Sequence, residues 1–133
     1  MENMDIVQKA ENVIKLLQRP NKRGDLVIDL TTNQIRKFLT AVTITANKVS
    51  IYRSKHPQNK QLSDELADEI RYLQVKLVYQ ASRDKGVVKK FIKEAKLLTL
   101  IKDIGNSIVK FEKFYRYVEA LVAYHKYYGG KDA

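Results

Sequence analysis

The sequence of 133 residues contains no cysteine, and it has only five glycines and two prolines. The absence of cysteine excludes disulfides, thiolate metal ligands and cysteine nucleophiles, and a small domain without disulfides is typical of a reducing compartment. The scarcity of glycine and proline leaves few positions where the chain can turn sharply. This composition favours long helices over a fold of many short strands.

Long apolar runs are also missing. No stretch approaches the roughly 20 apolar residues of a membrane helix, and the acidic N-terminal segment is not typical of a secretory signal. We therefore expect a cytoplasmic protein. The composition, 44% hydrophobic and 30% charged, is that of a globular chain. Its length predicts one domain over residues 1–133.

Residue patterns typical of catalysis are absent from the sequence. His56 precedes Pro57 in a predicted loop, and His125 has no second histidine at zinc-binding spacing, so no metal site is predicted. There is no glycine-rich phosphate loop and no nucleophile motif. The acidic residues of segment 64–69 are interpreted as a solvated helix face. We expect no enzyme activity, no metal and no cofactor.

Hydrophobic periodicity predicts an all-α fold, a single bundle of about five helices. The predicted helices cover residues 2–19, 31–56, 63–83, 87–104 and 107–128. Thr31 or Thr32, and then Ser63, are the expected N-caps of the second and third helices. A break near Leu97 is left open, because the apolar run there is continuous. Residues 26–30 are compatible with an extended segment.

Acidic residues are unevenly distributed along a chain whose net charge is +10. Residues 31–61 hold six basic and no acidic side chains, and residues 84–133 hold eleven basic and six acidic ones. An excess of basic over acidic side chains indicates a polyanionic partner. No helix-turn-helix, zinc finger or basic zipper is present, so we expect recognition of a nucleic-acid backbone by its shape.

The candidate phosphate-binding cations lie on the second, third and fourth predicted helices. They are Arg36, Lys37, Lys48, Arg53, Lys76, Arg83, Lys89, Lys90 and Lys93. Arg36 and Arg83 are favoured, because each lies near a helix end and a guanidinium can bind phosphate through two hydrogen bonds. For lysines such as Lys93, the alternative that they merely keep a helix face soluble stays open.

The segment EALVAYHKYYGG (119–130) ends the last predicted helix and carries three tyrosines. Its spacing predicts a core stripe with tyrosines at the rim. We therefore assign Tyr124, Tyr127 and Tyr128 to packing, including packing against other subunits. An exposed stacking platform for bases, formed by Tyr127 and Tyr128 beside Lys126, is the alternative.

Three segments, in order and at matching spacing, resemble the small helical subunit of the type III-A CRISPR effector, the Csm complex. They are LTTNQIRKFL (30–39), YLQVKLVYQASRDKGVVKKFI (72–92) and FYRYVEALVAYHKYYGG (114–130). The resemblance covers residues 30–133, which it implies to be a helical bundle. Residues 1–29, a predicted helix and loop, are not diagnostic of the family. The sequence does not show whether this segment is structurally ordered.

The resemblance implies a non-catalytic subunit that stacks along the duplex of guide RNA and target RNA. Its implied partners are both RNAs, the backbone and large subunits, and copies of itself; cleavage belongs to the other subunits. By position, the matched cations are Arg36, Lys76, Arg83 and Lys89. Two other hypotheses remain: a basic scaffold that acts through protein–protein contacts, and a small enzyme, for which no convergent acids or histidines are found.

Overall fold

A computed structural model describes residues 5–129 as six helices and one short β-hairpin. The elements in chain order are α1 (Ile6–Leu17), β1 (Gln18–Pro20), β2 (Leu26–Ile28), α2 (Thr32–Lys55), α3 (Asp64–Ser82), α4 (Val87–Ala95), α5 (Leu97–Ile104) and α6 (Ile108–Tyr127). The fold is mostly helical, as predicted. The prediction of about five helices without strands was close but incomplete.

Local capping residues set where the long helices begin. The Thr31 hydroxyl accepts a hydrogen bond from the Gln34 amide, and the Gln34 side chain accepts one from the Thr31 amide. This reciprocal capping box satisfies two backbone donors at the start of α2. Ser63 and Ser107 cap α3 and α6 in the simpler way, each with its hydroxyl accepting one backbone hydrogen bond.

The predicted fourth helix is divided into α4 and α5 at Lys96. Lys96 has φ 57° and ψ 37°, the left-handed conformation that side chains with a β-carbon rarely adopt. The break lies one residue before Leu97, where the sequence left it open. The break allows the buried side chains of α4 and those of α5 to point in different directions. It also explains why the structure has six helices where about five were predicted.

The hairpin follows α1 directly. Strands β1 and β2 pair antiparallel, with Gln18 opposite Ile28, so residues 26–28 are extended. The Arg19 guanidinium donates two hydrogen bonds, of 2.7 and 2.8 Å, to the carboxylate of Asp29. Asp29 directly follows β2, so this paired contact links β1 to the residue after β2 and supports the closed hairpin.

Helix α6 packs against α1, α2 and α5, and its apolar stripe lies inside a shared core. Tyr117 is among the largest fully buried side chains, and its hydroxyl donates a 2.9 Å hydrogen bond to the Ala95 carbonyl. His125 is 1% exposed, with Nε2 lying 2.6 Å from the Leu30 carbonyl oxygen. In the described part of segment 119–130, Leu121 and His125 are thus buried in the core, and Tyr124 and Tyr128 lie partly buried at its edge. No helix within residues 5–129 is long and apolar enough to cross a membrane.

Candidate nucleic-acid interface

A cleft of about 440 Å³ lies between the start of α2, the end of α3 and the turn that leads into α4. The N-terminal cap of α2 and the turn at Gly86, which has φ 102°, fix two of its walls. A positive φ of this size suits glycine, because a β-carbon would strain the backbone. The cleft is thus built where three helix ends meet.

Three predicted cations line this cleft: Lys37 from α2, Lys76 from α3, and Arg83 just after α3. All three are exposed, and none forms an ion pair within residues 5–129. Asp84 is the one acid among the described lining residues, and its carboxylate accepts a 2.5 Å hydrogen bond from the Val88 amide. The cleft therefore presents positive charge that an anion can neutralise.

An aromatic ring lies beside these cations. Tyr79 is 61% exposed, and the guanidinium carbon of Arg83 lies over its ring, 5.6 Å from the ring centroid. This cation–π contact holds the guanidinium next to the cleft. The cleft is further lined by the amide side chains of Gln34 and Gln80.

Two other predicted cations are paired with acids from distant elements. Lys48 contacts Glu69 of α3 at 2.9 Å, and Arg53 contacts Glu112 of α6 at 2.5 Å. Segment 31–61 contains no acid, so these cations have no neutralising partner within their own helix, and the tertiary fold supplies partners from α3 and α6. Their charges are largely neutralised within the chain, so they offer less to a polyanion than the cleft cations do.

The pairing of Glu69 affects its acidity. Burial alone would raise the pKa of this carboxyl, but hydrogen bonds from Lys48 and Thr45, with the charges of Lys48 and Lys76, outweigh burial and lower the pKa. A carboxylate of this kind stabilises the fold above the ordinary pKa of glutamate. Its contribution is lost as the pH falls through the lowered pKa.

The remaining candidate cations are exposed but lie outside the cleft lining. Arg36 precedes Lys37 on α2, and one residue along a helix rotates the side chain by about 100°, so these two point to different sides. Lys89, Lys90 and Lys93 are exposed on α4, beyond the cleft residue Val88. The predicted cations therefore form one convergent group of three and separate outlying charges.

The three tyrosines assigned to packing have different surroundings. Tyr128 donates a 2.6 Å hydrogen bond to Glu11 of α1, and its ring stacks near Tyr124, 6.3 Å between centroids. Tyr127 is 77% exposed. Its ring packs edge-on against Tyr128, with 5.1 Å between the ring centroids, but Tyr127 alone of the three remains largely accessible to another molecule.

Sequence reasoning missed Tyr79, Gln34 and Gln80 as cleft residues. A signal for Tyr79 was present in the sequence: helical spacing from the apolar residues Leu73 and Leu77 places Tyr79 on the opposite side of the helix. The two glutamines carried no such signal, because their role depends on contact between α2 and α3. No cluster of three or more metal-ligating side chains occurs in the part of the chain that the structure describes.

Comparison with known proteins yields a consistent group of relatives. The family model described as Csm2 Type III-A matches residues 3–131. A Streptococcus thermophilus protein named "CRISPR system Cms protein Csm2" is 44% identical over 127 residues, which is 95% of this chain and 93% of that protein. The protein of the same name from Mycobacterium tuberculosis strain H37Rv is 38% identical over 128 residues, 96% of this chain and 94% of its own. That of Enterococcus italicus is 30% identical over 132 residues, covering 96% and 90%.

Proposed function

This chain belongs to the Csm2 type III-A family, and we propose that it is a non-catalytic structural subunit of a type III-A CRISPR (Csm) complex that binds RNA. In this role it stacks along the duplex of guide RNA and target RNA, beside backbone and large subunits and further copies of itself. Its basic side chains contact the phosphate backbone. The names of its relatives support a place in a CRISPR system.

The observation that carries the RNA-binding role is the cleft with Lys37, Lys76 and Arg83. Lys37 comes from α2, whereas Lys76 and Arg83 come from α3 and its C-terminal end. They line one cleft although like charges repel each other and none has an ion-pair partner within residues 5–129. Such an arrangement is costly in an isolated protein and becomes favourable when phosphates bind and their counterions are released. An RNA backbone supplies phosphates at regular spacing.

The experiment is to purify the tagged chain from its host at moderate salt, and to size any bound RNA and identify the proteins that co-purify. Discrete short RNAs with large and repeated backbone subunits are the expected result. Recovery of the chain alone, or with heterogeneous nucleic acid that salt removes, would contradict the proposal.

The binding residues are tested in the reassembled complex. We expect Arg83→Ala and Arg36→Ala to weaken binding of target RNA. Arg53→Ala is the matched control, because Arg53 is also an exposed arginine but is paired with Glu112. Unchanged target binding in Arg36→Ala and Arg83→Ala would show that these arginines do not have the proposed role.

A second candidate function is a scaffold that acts through protein–protein contacts, and exposed apolar side chains on α3 favour it. Tyr72, Val75 and Val78 are each more than half exposed. Apolar contacts survive high salt, whereas phosphate contacts weaken steeply. Association with partners that persists in high salt after removal of RNA would favour the scaffold function.

A further inference from the structure

The cleft that holds the three cations also contains a hydrophobic flat surface, which phosphate binding alone does not require. The Tyr79 residue is 61% exposed, and its ring lies beneath the guanidinium of Arg83. Exposed aromatic rings next to cations are typical of sites where a nucleobase stacks, since each base has a π-face that an aromatic ring can cover. The ring therefore indicates that the ligand has a base as well as a backbone.

The cleft also offers a hydrogen-bond donor and a hydrogen-bond acceptor whose orientations are fixed. The Gln34 side-chain oxygen accepts from the Thr31 amide at 2.9 Å, so the NH₂ group of Gln34 is a donor. Gln80 donates through Nε2 to the Gln34 carbonyl at 2.7 Å, so the side-chain oxygen of Gln80 is an acceptor. A phosphate group only accepts hydrogen bonds, so a site for phosphate needs donors alone. The edge of a nucleobase presents both donors and acceptors, so a site for a base needs both as well.

The size of the cleft fits one nucleotide. Its volume of about 440 Å³ lies within the range of sites for small organic molecules, roughly 300–1,000 Å³. Lys37 and Lys76 line the same cleft and are available for the phosphates that flank a base. The ring of Tyr79, the two side-chain amides and the cations thus match the face of a base, the edge of a base and the flanking phosphates.

We propose that this cleft binds one unpaired nucleotide of an RNA strand, with its base stacked on Tyr79 and its edge bonded by Gln34 and Gln80. The nucleotide has to be unpaired, because a base inside a duplex has its faces covered by neighbours and its edge occupied. The inference rests on the proposed RNA-binding function. It adds that the chain contacts a base, and not the backbone alone.

The test compares two strands of equal length and equal phosphate number. One is a single-stranded RNA, and the other carries the same sugar–phosphate backbone without bases. Affinities of the full chain for both are measured at several salt concentrations. We expect the base-containing strand to bind roughly 5- to 150-fold more tightly, the range that one base–aromatic stack provides. A blunt RNA duplex of the same length is expected to lack this advantage.

Substitutions in the cleft test whether it causes the tighter binding of the strand that carries bases. Tyr79→Leu is expected to abolish the preference for bases and to leave the salt slope unchanged, and Tyr79→Phe to retain the preference. Tyr72→Leu is the matched control: Tyr72 is 55% exposed on α3, seven residues before Tyr79 and therefore on nearly the same side of the helix, but outside the cleft lining. The control should retain the preference.

The outcomes separate this inference from the function on which it rests. Equal, salt-dependent binding of both strands by the wild-type chain would overturn the nucleotide site and leave RNA binding intact. Failure to bind any RNA, even at low salt, would overturn both. Equally tight binding of free AMP would overturn the assignment to a nucleotide within a strand, since AMP lacks the flanking phosphates.

Discussion

The hydroxyl of Tyr128 donates a 2.6 Å hydrogen bond to the carboxylate of Glu11, which joins the end of α6 to α1 across 117 positions of the sequence. This hydrogen bond raises the pKa of Tyr128 to about 12, with further contributions from burial and from the charge of Glu11. The neutral hydroxyl is therefore the form that the folded chain stabilises.

Stability should consequently depend on alkaline pH through Tyr128. A group whose pKa is raised by folding contributes fully below its unfolded pKa, about 10 for tyrosine, and this contribution is lost as the pH rises through the folded value. We expect the free energy of unfolding to fall more between pH 10 and 12 in the wild type than in Tyr128→Phe. Urea unfolding across this pH range measures the difference. Tyr127→Phe is the control, and a control that flattened the profile equally would contradict the assignment.

The buried His125 should stabilise the junction between α6 and α2. A carbonyl oxygen can only accept, so Nε2 of His125 carries the proton that bonds to Leu30 at 2.6 Å. His125→Leu leaves this carbonyl without its partner, at a cost of about 1–3 kcal/mol in the free energy of unfolding. Chemical denaturation of the wild type and of His125→Leu measures this difference in the free energy of unfolding.

The other histidine provides the comparison for His125. His56 is exposed at the end of α2, so His56→Leu should change the free energy of unfolding by no more than about 0.5 kcal/mol. Equal effects of the two substitutions would show that the hydrogen bond to Leu30 contributes little.

The left-handed conformation of Lys96, with φ 57°, predicts an unusual response to glycine. Lys96→Gly removes the strain of the β-carbon but adds freedom to the unfolded chain, so we expect the free energy of unfolding to stay unchanged or to rise by up to about 1 kcal/mol. Lys93→Gly, at an exposed position inside α4, should lower it by about 1 kcal/mol. Thermal and urea unfolding of both variants gives the comparison. A loss in Lys96→Gly as large as in Lys93→Gly would contradict the role of backbone strain.

Sequence reasoning was most successful where local chemistry decides the structure. The starts of α2 and α3 at Thr31 and Ser63 follow from hydroxyls that bond amides within the same turn. The end of α2 before His56-Pro57 follows from the proline ring, which disfavours helical backbone in the preceding residue. These signals need no knowledge of the rest of the fold.

Contacts between distant segments could not be predicted in the same way. The partner of Arg53 is Glu112, 59 residues away, and the ammonium of Lys9 lies over the ring of Tyr117 at 5.3 Å. Burial lowers the pKa of Lys9, and the charge of Lys96 lowers it further. The distribution of charge along the chain gave no sign of these contacts, because only the packing of α1, α2 and α6 brings the partners close. The same limit hid the two glutamines of the cleft.

The distinction between free and paired cations leads to the last prediction, which concerns the salt dependence of RNA binding. Lys76 lines the cleft and acts on Glu69 only through its charge, without a direct ion pair in the described chain, whereas Lys48 contacts Glu69 at 2.9 Å. Replacing a lysine that contacts a phosphate lowers the slope of log affinity against log salt by about 0.7 for single-stranded nucleic acid. We expect a reduction of this size in Lys76→Ala and a smaller one in Lys48→Ala, measured by fluorescence anisotropy over a series of salt concentrations. Both side chains are exposed lysines on the neighbouring helices α2 and α3, so they differ mainly in pairing. Equal reductions would mean that RNA displaces Glu69 from Lys48, and that ion pairing within the chain does not select the binding cations.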